Sequence, residues 1–307
     1  MRNDRPSKST LGLARKIRAS LPLLLALSAF VGSGRELVAQ ETTLSTGDWV
    51  SFETIDQSAL PIIRAKLNGS GGYRIVLDVG FNDFLLDTLL VDGSGLKLAG
   101  QGETTIDFYG KKEEVPVAVL DELSIGDLKF RTVRTLLVEG EDGTGHGGLR
   151  SYGRIGRDLL KPLRLTVNYP RRLLYLEPSP AEVPAGSSLL HAAGRFLLVS
   201  ARVSADNLDV EVPFVVDCGT SNTVVDKKWA QKNGLAGKNA PGATLKGLKI
   251  GGFEEADVPV LLGVMKELPY EGDAVGVIGA DLLLRLSVTY DFARDLIWLV
   301  PVKEESS

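Results

Sequence analysis

"FVVDCGTSNTVVD", residues 214–226, runs three apolar residues into Asp217 and then breaks into a cysteine, a glycine and two hydroxyl residues. An acid at the end of an apolar run, set against a glycine, either caps a turn or is held in place to do chemistry. The second reading gains force from an imperfect echo earlier in the chain, "RIVLDVGFNDFLLD", residues 74–87.

The echo extends well beyond the acid. Residues 75–96 lie over residues 214–235 without a gap at an offset of 139, pairing Asp78 with Asp217, Gly80 with Gly219, Asp87 with Asp226 and Gly95 with Gly234. "LSIGDLKFRTVRTLLV" (123–138) then falls on "LKIGGFEEADVPVLLG" (248–263) at an offset of 125. "GRIGRDLLKPLRLTVNYPRRLLYLEP" (153–178) falls on "GVIGADLLLRLSVTYDFARDLIWLVP" (276–301) at an offset of 123. Three blocks in the same order define two copies of one unit, over 48–180 and 186–302. Residues 181–185 join them inside the Pro-, Gly- and Ser-rich run "PSPAEVPAGSS" (178–188).

Each copy reads as β. Short runs such as "IIRAKL", "YRIVLD", "VPVAVL" and "RLTVNY" are rich in branched and aromatic residues and are punctuated by Gly, Pro, Asn and Asp. "DLLKPL" and "DLLLRL" predict one short helix per copy. Their leading acids, Asp158 and Asp281, suit helix caps. The fall in offset from 139 to 125 places 14 extra residues in the first copy, within 97–122. Two β-type runs flank "YGKKEE" there, which predicts an extra hairpin in the first copy alone.

Composition narrows the functions. The chain has 307 residues, 44% hydrophobic and 24% charged, and a net charge of −4, with no basic block beyond the N-terminal region to serve nucleic acid. One cysteine and two distant histidines, His146 and His191, do not make a Cys/His zinc set. Residues 1–40 differ in kind: Arg2, Arg5, Lys8, Arg15, Lys16 and Arg18 precede the apolar "LPLLLALSAFV" (21–31) and then small residues. That is the layout of a signal peptide, with cleavage after Gly34 or Ala39, and it predicts export to a periplasm or the medium. The apolar run of 11 residues is short of the ~20 needed to span a bilayer, so a retained membrane anchor is the second reading. In an oxidising compartment the lone Cys218 forms no intrachain disulfide and reads as a small buried side chain.

An apolar strand ending in Asp-x-Gly, then Gly-Leu, Ile-Gly and Ile-Gly-x-Asp-Leu-Leu, resembles the retropepsin-like aspartic proteases; "IGRDLL" (155–160) is close to the retroviral form. The resemblance covers nearly all of the chain after residue 47, twice. It implies an all-β fold of two closed, barrel-like lobes paired as in pepsin, each contributing one catalytic Asp: here Asp78 and Asp217, supported by the turn residues Gly80, Gly219 and Thr220. Retroviral members reach this pairing as homodimers, whereas pepsin-like members do it within one chain with one flap over the cleft. The extra hairpin fits that flap, with Phe108 or Tyr109 near its tip. The implied activity is endopeptidase cleavage of a peptide in extended conformation by a monomer, with no metal or cofactor. Two carboxylates within about 4 Å repel by roughly 4 kcal/mol at an effective dielectric near 20, so one keeps its proton while the other ionises. This sharing is the established behaviour of the aspartic protease dyad. The ionised acid takes a proton from water and the neutral one donates to the peptide carbonyl.

The match is incomplete. The family carries Thr or Ser after the acid, where this chain has Val79 and Cys218, and a small residue after the glycine, where it has Phe81. Val79 cannot send a hydroxyl across the lobe interface, and a thiol is a weak donor. Phe81 either fills the space where water and carbonyl meet or turns into the core. Two alternatives therefore stand beside the protease: an inactive relative that binds extended peptides or a partner, and a homodimer pairing Asp217 with its own copy. Asp87 and Asp226 read as structural hydrogen-bonding acids.

Overall fold

The computed structural model describes residues 23–25, 41–44, 48–54, 58–106, 112–140, 150–179, 182–193, 196–265 and 273–302. Two rings of six strands dominate. The first closes in the order Pro61–Leu67, Ser70–Leu77, Gly153–Ile155, Phe84–Asp87, Leu128–Val138, Lys112–Ile125 and back to Pro61–Leu67. The second closes in the matching order Phe196–Ala205, Leu208–Val216, Gly276–Ile278, Val224–Asp226, Phe253–Gly263, Gly242–Ile250. The duplicated sequence is thus a duplicated lobe, and closure removes most sheet edges.

The strands that lead to the acids share one design. Ser70–Leu77 starts exposed and ends with Ile75, Val76 and Leu77 buried; Leu208–Val216 ends with Phe214, Val215 and Val216 buried. Fully burying such a side chain stabilises by roughly 1.5–3 kcal/mol, so each strand is anchored at the end that delivers its acid. The following residues, Val79 and Cys218, are 2% and 1% exposed and belong to one apolar cluster that runs through both lobes.

A second layer joins the lobes. Six strands, Val50–Ser51, Leu173–Pro178, Leu163–Asn168, Leu286–Asp291, Leu296–Pro301 and Ser188–Ala193, form one antiparallel sheet. Its centre is the pairing of Leu163–Asn168 with Leu286–Asp291, in which Thr166 faces Thr289 and their hydroxyl oxygens are 3.0 Å apart. These two threonines are the same position of the two copies, so the pseudo-twofold axis passes between them.

Among the described residues the first lobe alone carries the expected extra hairpin, Lys97–Ile106 against Lys112–Ile125, with register shifts between Leu98 and Glu103. At the N-terminus, Leu23–Leu25 pairs with Glu41–Leu44, which continues onto Lys129–Arg131. Among the described residues no helix is long and apolar enough to cross a membrane.

The two short helices, Arg157–Leu160 and Ala280–Leu283, are present, but Asp158 and Asp281 do not cap them. The N-cap positions are Gly156 and Gly279, and the acids sit one step inside the helix. Glycine is required there because a Cβ at either position would run into the backbone of Asn82–Asp83 or of Asn222. The Asp281 carboxylate instead accepts from the Thr223 amide at 2.8 Å and its hydroxyl at 2.7 Å, whereas Asp158 is exposed and pairs with Lys161 at 2.7 Å.

Candidate active site

Asp78 and Asp217 occupy the same place in their lobes. The Asp78 amide donates to the Ile155 carbonyl at 2.9 Å and the Asp217 amide to the Ile278 carbonyl at 3.1 Å. Behind each carboxylate a glycine amide closes a two-residue loop: Gly80 N–H reaches Asp78 Oδ1 at 2.9 Å, and Gly219 N–H reaches Asp217 Oδ1 at 2.8 Å. Neither glycine has a positive φ, so their need is for room rather than for a left-handed turn. A Cβ at either would lie 3.2 Å from the carboxylate oxygen it serves.

The second oxygens are held differently. Thr220 Oγ1 donates to Asp217 Oδ2 at 2.6 Å. Phe81 replaces that threonine in the first lobe, and Arg154 Nη1 donates to Asp78 Oδ2 at 2.7 Å, with its guanidinium carbon 5.4 Å from the centre of the Phe81 ring. Sequence reasoning missed Arg154. The signal was present in the repeat, where "GRIG" lies over "GVIG" and a cation replaces Val277. Burial pushes the Asp78 carboxyl above its ordinary range, the charge of Asp217 pushes the same way, and the Arg154 guanidinium and Gly80 amide pull against them; the net direction is upward. The charge of Asp217 therefore reaches Asp78.

The lobes join behind the acids without the hydroxyl pair of the family pattern. The Cys218 carbonyl accepts from the Ala59 amide at 2.7 Å and from Ser58 Oγ at 3.2 Å, while the Val79 amide is directed at the Cys218 thiol. Main-chain groups and Ser58 thus supply what Val79 cannot. Burial, and then the charges of Asp78 and Asp217, push the thiol well up, which keeps it protonated and poorly nucleophilic.

Residues 63–159 match the family model for aspartyl proteases. A search of curated proteins finds no match. Among solved structures, an aspartic proteinase from Irpex lacteus is similar over 83% of this chain and 97% of its own, with a TM-score of 0.55 and 13% sequence identity. The chain has the pepsin/retropepsin-like aspartic protease fold.

Within that fold the family-model match ends in the first lobe, the one whose acid turn departs further from the usual pattern. Phe81 does not project freely: it is 8% exposed and packs with Leu85, Val115, Val117 and Leu136, the valines being the root of the extra hairpin. The extra hairpin thus packs against the acid turn of the first lobe. Phe108 and Tyr109, named for its tip, lie outside the described residues, as does His146. His191 is exposed on the sheet that joins the lobes. Arg157, 7% exposed, bonds the Asn82 side chain through Nε and Nη2, bracing the loop behind Asp78. Asp87 and Asp226 act as structural acids: they are the N-caps of the 3-10 turn Thr88–Leu90 and of the helix Lys227–Lys232, a second helix in the second copy where one was expected, and accept from the Leu89 and Trp229 amides at 2.8 Å each. Among the described residues no group of three or more His, Cys, Asp or Glu is placed to hold a metal ion.

Proposed function

We propose that the chain is an exported aspartic endopeptidase in which Asp78 and Asp217 act as one dyad. The observation that carries this reading is the matched pair of carboxylates: each follows the buried end of a strand, holds a glycine amide on Oδ1 and takes a side-chain donor on Oδ2. An extended peptide lies between the lobes under the hairpin of residues 97–125. One carboxylate, ionised, takes a proton from a water whose oxygen attacks the peptide carbonyl carbon. The other donates its proton to the carbonyl oxygen, and breakdown of the tetrahedral intermediate expels the amine with a proton returned from the dyad. Acid and base are roles of the dyad rather than of named residues.

In this reading the lobes span 48–180 and 186–302, residues 1–40 are the export signal, and the active species is a monomer. Cleavage of a diverse peptide mixture between pH 3 and 7, with Asp217→Asn as the matched control, tests the activity. Products that vanish in the variant support it, and a folded wild type that cuts nothing at any pH overturns it. N-terminal sequencing of the protein recovered outside the cytoplasm tests the signal, and sedimentation tests the monomer.

A second reading is favoured by one contact. The Arg154–Asp78 ion pair commits one arm of the dyad, and such a cleft binds extended peptides without cutting them. That binder keeps its peptide affinity after both Asp78→Asn and Asp217→Asn, with no cleavage at any stage.

A further inference from the structure

The two acid turns solve one geometric problem with different donors. In the second lobe the residue after the glycine is Thr220, whose hydroxyl holds Asp217 Oδ2, and the strand beside it presents Val277, fully buried among Phe196, Val215 and Met265. In the first lobe the residue after the glycine is Phe81, which carries no hydroxyl, and the strand presents Arg154, which holds Asp78 Oδ2. The two exchanges are in contact, since the guanidinium lies over the Phe81 ring.

We infer that Arg154 is a positioning residue for Asp78, doing for the first carboxylate what the Thr220 hydroxyl does for the second, with Phe81 as the platform that aims it. The inference rests on the dyad reading above. Three features favour it over an incidental ion pair. The contact is partly buried, with 28% of the arginine and 13% of the aspartate side chain exposed, whereas exposed pairs contribute little. A charged donor to a carboxylate is among the stronger hydrogen bonds. A planar guanidinium held over an aromatic face, as here at 5.4 Å, is directional in a way that a lysine ammonium is not.

The exchange has a chemical consequence. Thr220 is a neutral donor, but Arg154 is permanently charged and favours the ionised form of Asp78. Loss of Arg154 therefore moves the acid limb of the pH–rate profile upward. Loss of the Thr220 hydroxyl moves it much less.

The test uses the full chain with two readouts: the carboxyl titration of Asp78 by carbon NMR, assigned with Asp78→Asn, and kcat/KM against pH on a peptide the wild type cleaves. Arg154→Val copies Val277, and the double variant Phe81→Thr/Arg154→Val copies the second lobe. The single variant is expected to move the Asp78 titration and the acid limb upward and to lose about 10- to 100-fold in kcat/KM. The double variant is expected to regain about tenfold of that loss. Arg154→Lys, which keeps the charge without the planar guanidinium, is expected to fall between wild type and Arg154→Val.

A folded Arg154→Val protein whose Asp78 titrates as in wild type overturns the inference, as does a folded double variant no better than the single. Should the double variant fail to fold, Arg154→Lys decides: behaviour equal to Arg154→Val overturns it. A wild type that cleaves nothing while Arg154→Val still shifts the Asp78 titration leaves the positioning role standing and defeats the peptidase reading instead.

Discussion

Asp217 and Asp78 end matching strands in matching lobes, yet one is steadied by a threonine hydroxyl and the other by an arginine resting on a phenylalanine. A duplicated fold preserves positions, not residues. What both turns retain is a donor on each carboxylate oxygen, because an ionised carboxylate held out of water needs them. The residue type supplying the donor was free to change once a neighbour changed with it.

The strongest way to break the comparison is to remove the acids themselves. Asp217→Asn and Asp78→Asn are each expected to lower kcat/KM by roughly a thousandfold, within the usual range for general acid–base groups. A large loss in one and none in the other would show that the lobes are not chemical equals. Next comes the packing of helix against acid turn. Gly156→Ala and Gly279→Ala each force a methyl group onto a backbone carbonyl, and each is expected to cost about 3 kcal/mol in urea unfolding. Equal costs would establish that the two turns are packed alike.

Thr220→Val removes the neutral donor and is expected to reduce kcat/KM by about tenfold, corresponding to ~1.4 kcal/mol. Removing the structural acids, Asp87→Ala and Asp226→Ala, is expected to cost about 1 kcal/mol each as lost caps, with little change in cleavage per folded molecule. The smallest effect concerns pH. The folded-state pKa of Asp78 lies above its unfolded value, so its contribution to stability is complete below the ordinary carboxylate range and is lost as pH rises through the raised value. The Tm of wild type relative to Asp78→Asn should accordingly fall from pH 3 toward pH 7; a flat difference would refute the upward shift.

The fold was largely legible in the chain because a repeat doubles every signal. Most strands and each Ile-Gly pair are seen twice, and the large fall in offset, from 139 to 125, marks the hairpin found in the first lobe. The acids were legible for the same reason. The donors were less so. Arg154 stood in the alignment opposite Val277 but had no meaning until the strand Gly153–Ile155 was seen to lie beside the acid strand. Ser58 lies 160 residues from its partner Cys218 and has no echo in the second copy, so no spacing could reveal it. The Phe81 question turned on side-chain direction, which depends on the hairpin root packed against it. The helix caps were misread because an acid at a helix start suits a cap, whereas close backbone approach makes Gly156 and Gly279 the cap positions.

The facing threonines at the base of the molecule carry one more consequence. Leu286–Asp291 is an interior strand only because Leu163–Asn168 lies beside it. Cutting the chain in the segment between the lobes and separating the halves would turn that strand into an open edge of six residues with unpaired amides and carbonyls, the kind of surface that recruits another chain. Its own sequence fits such a partner, since an antiparallel copy centred on Thr289 sets threonine against threonine as Thr166 does now. Released second lobes are therefore expected to associate through this edge, and the first lobe serves as the cover that keeps the second from finding its own kind.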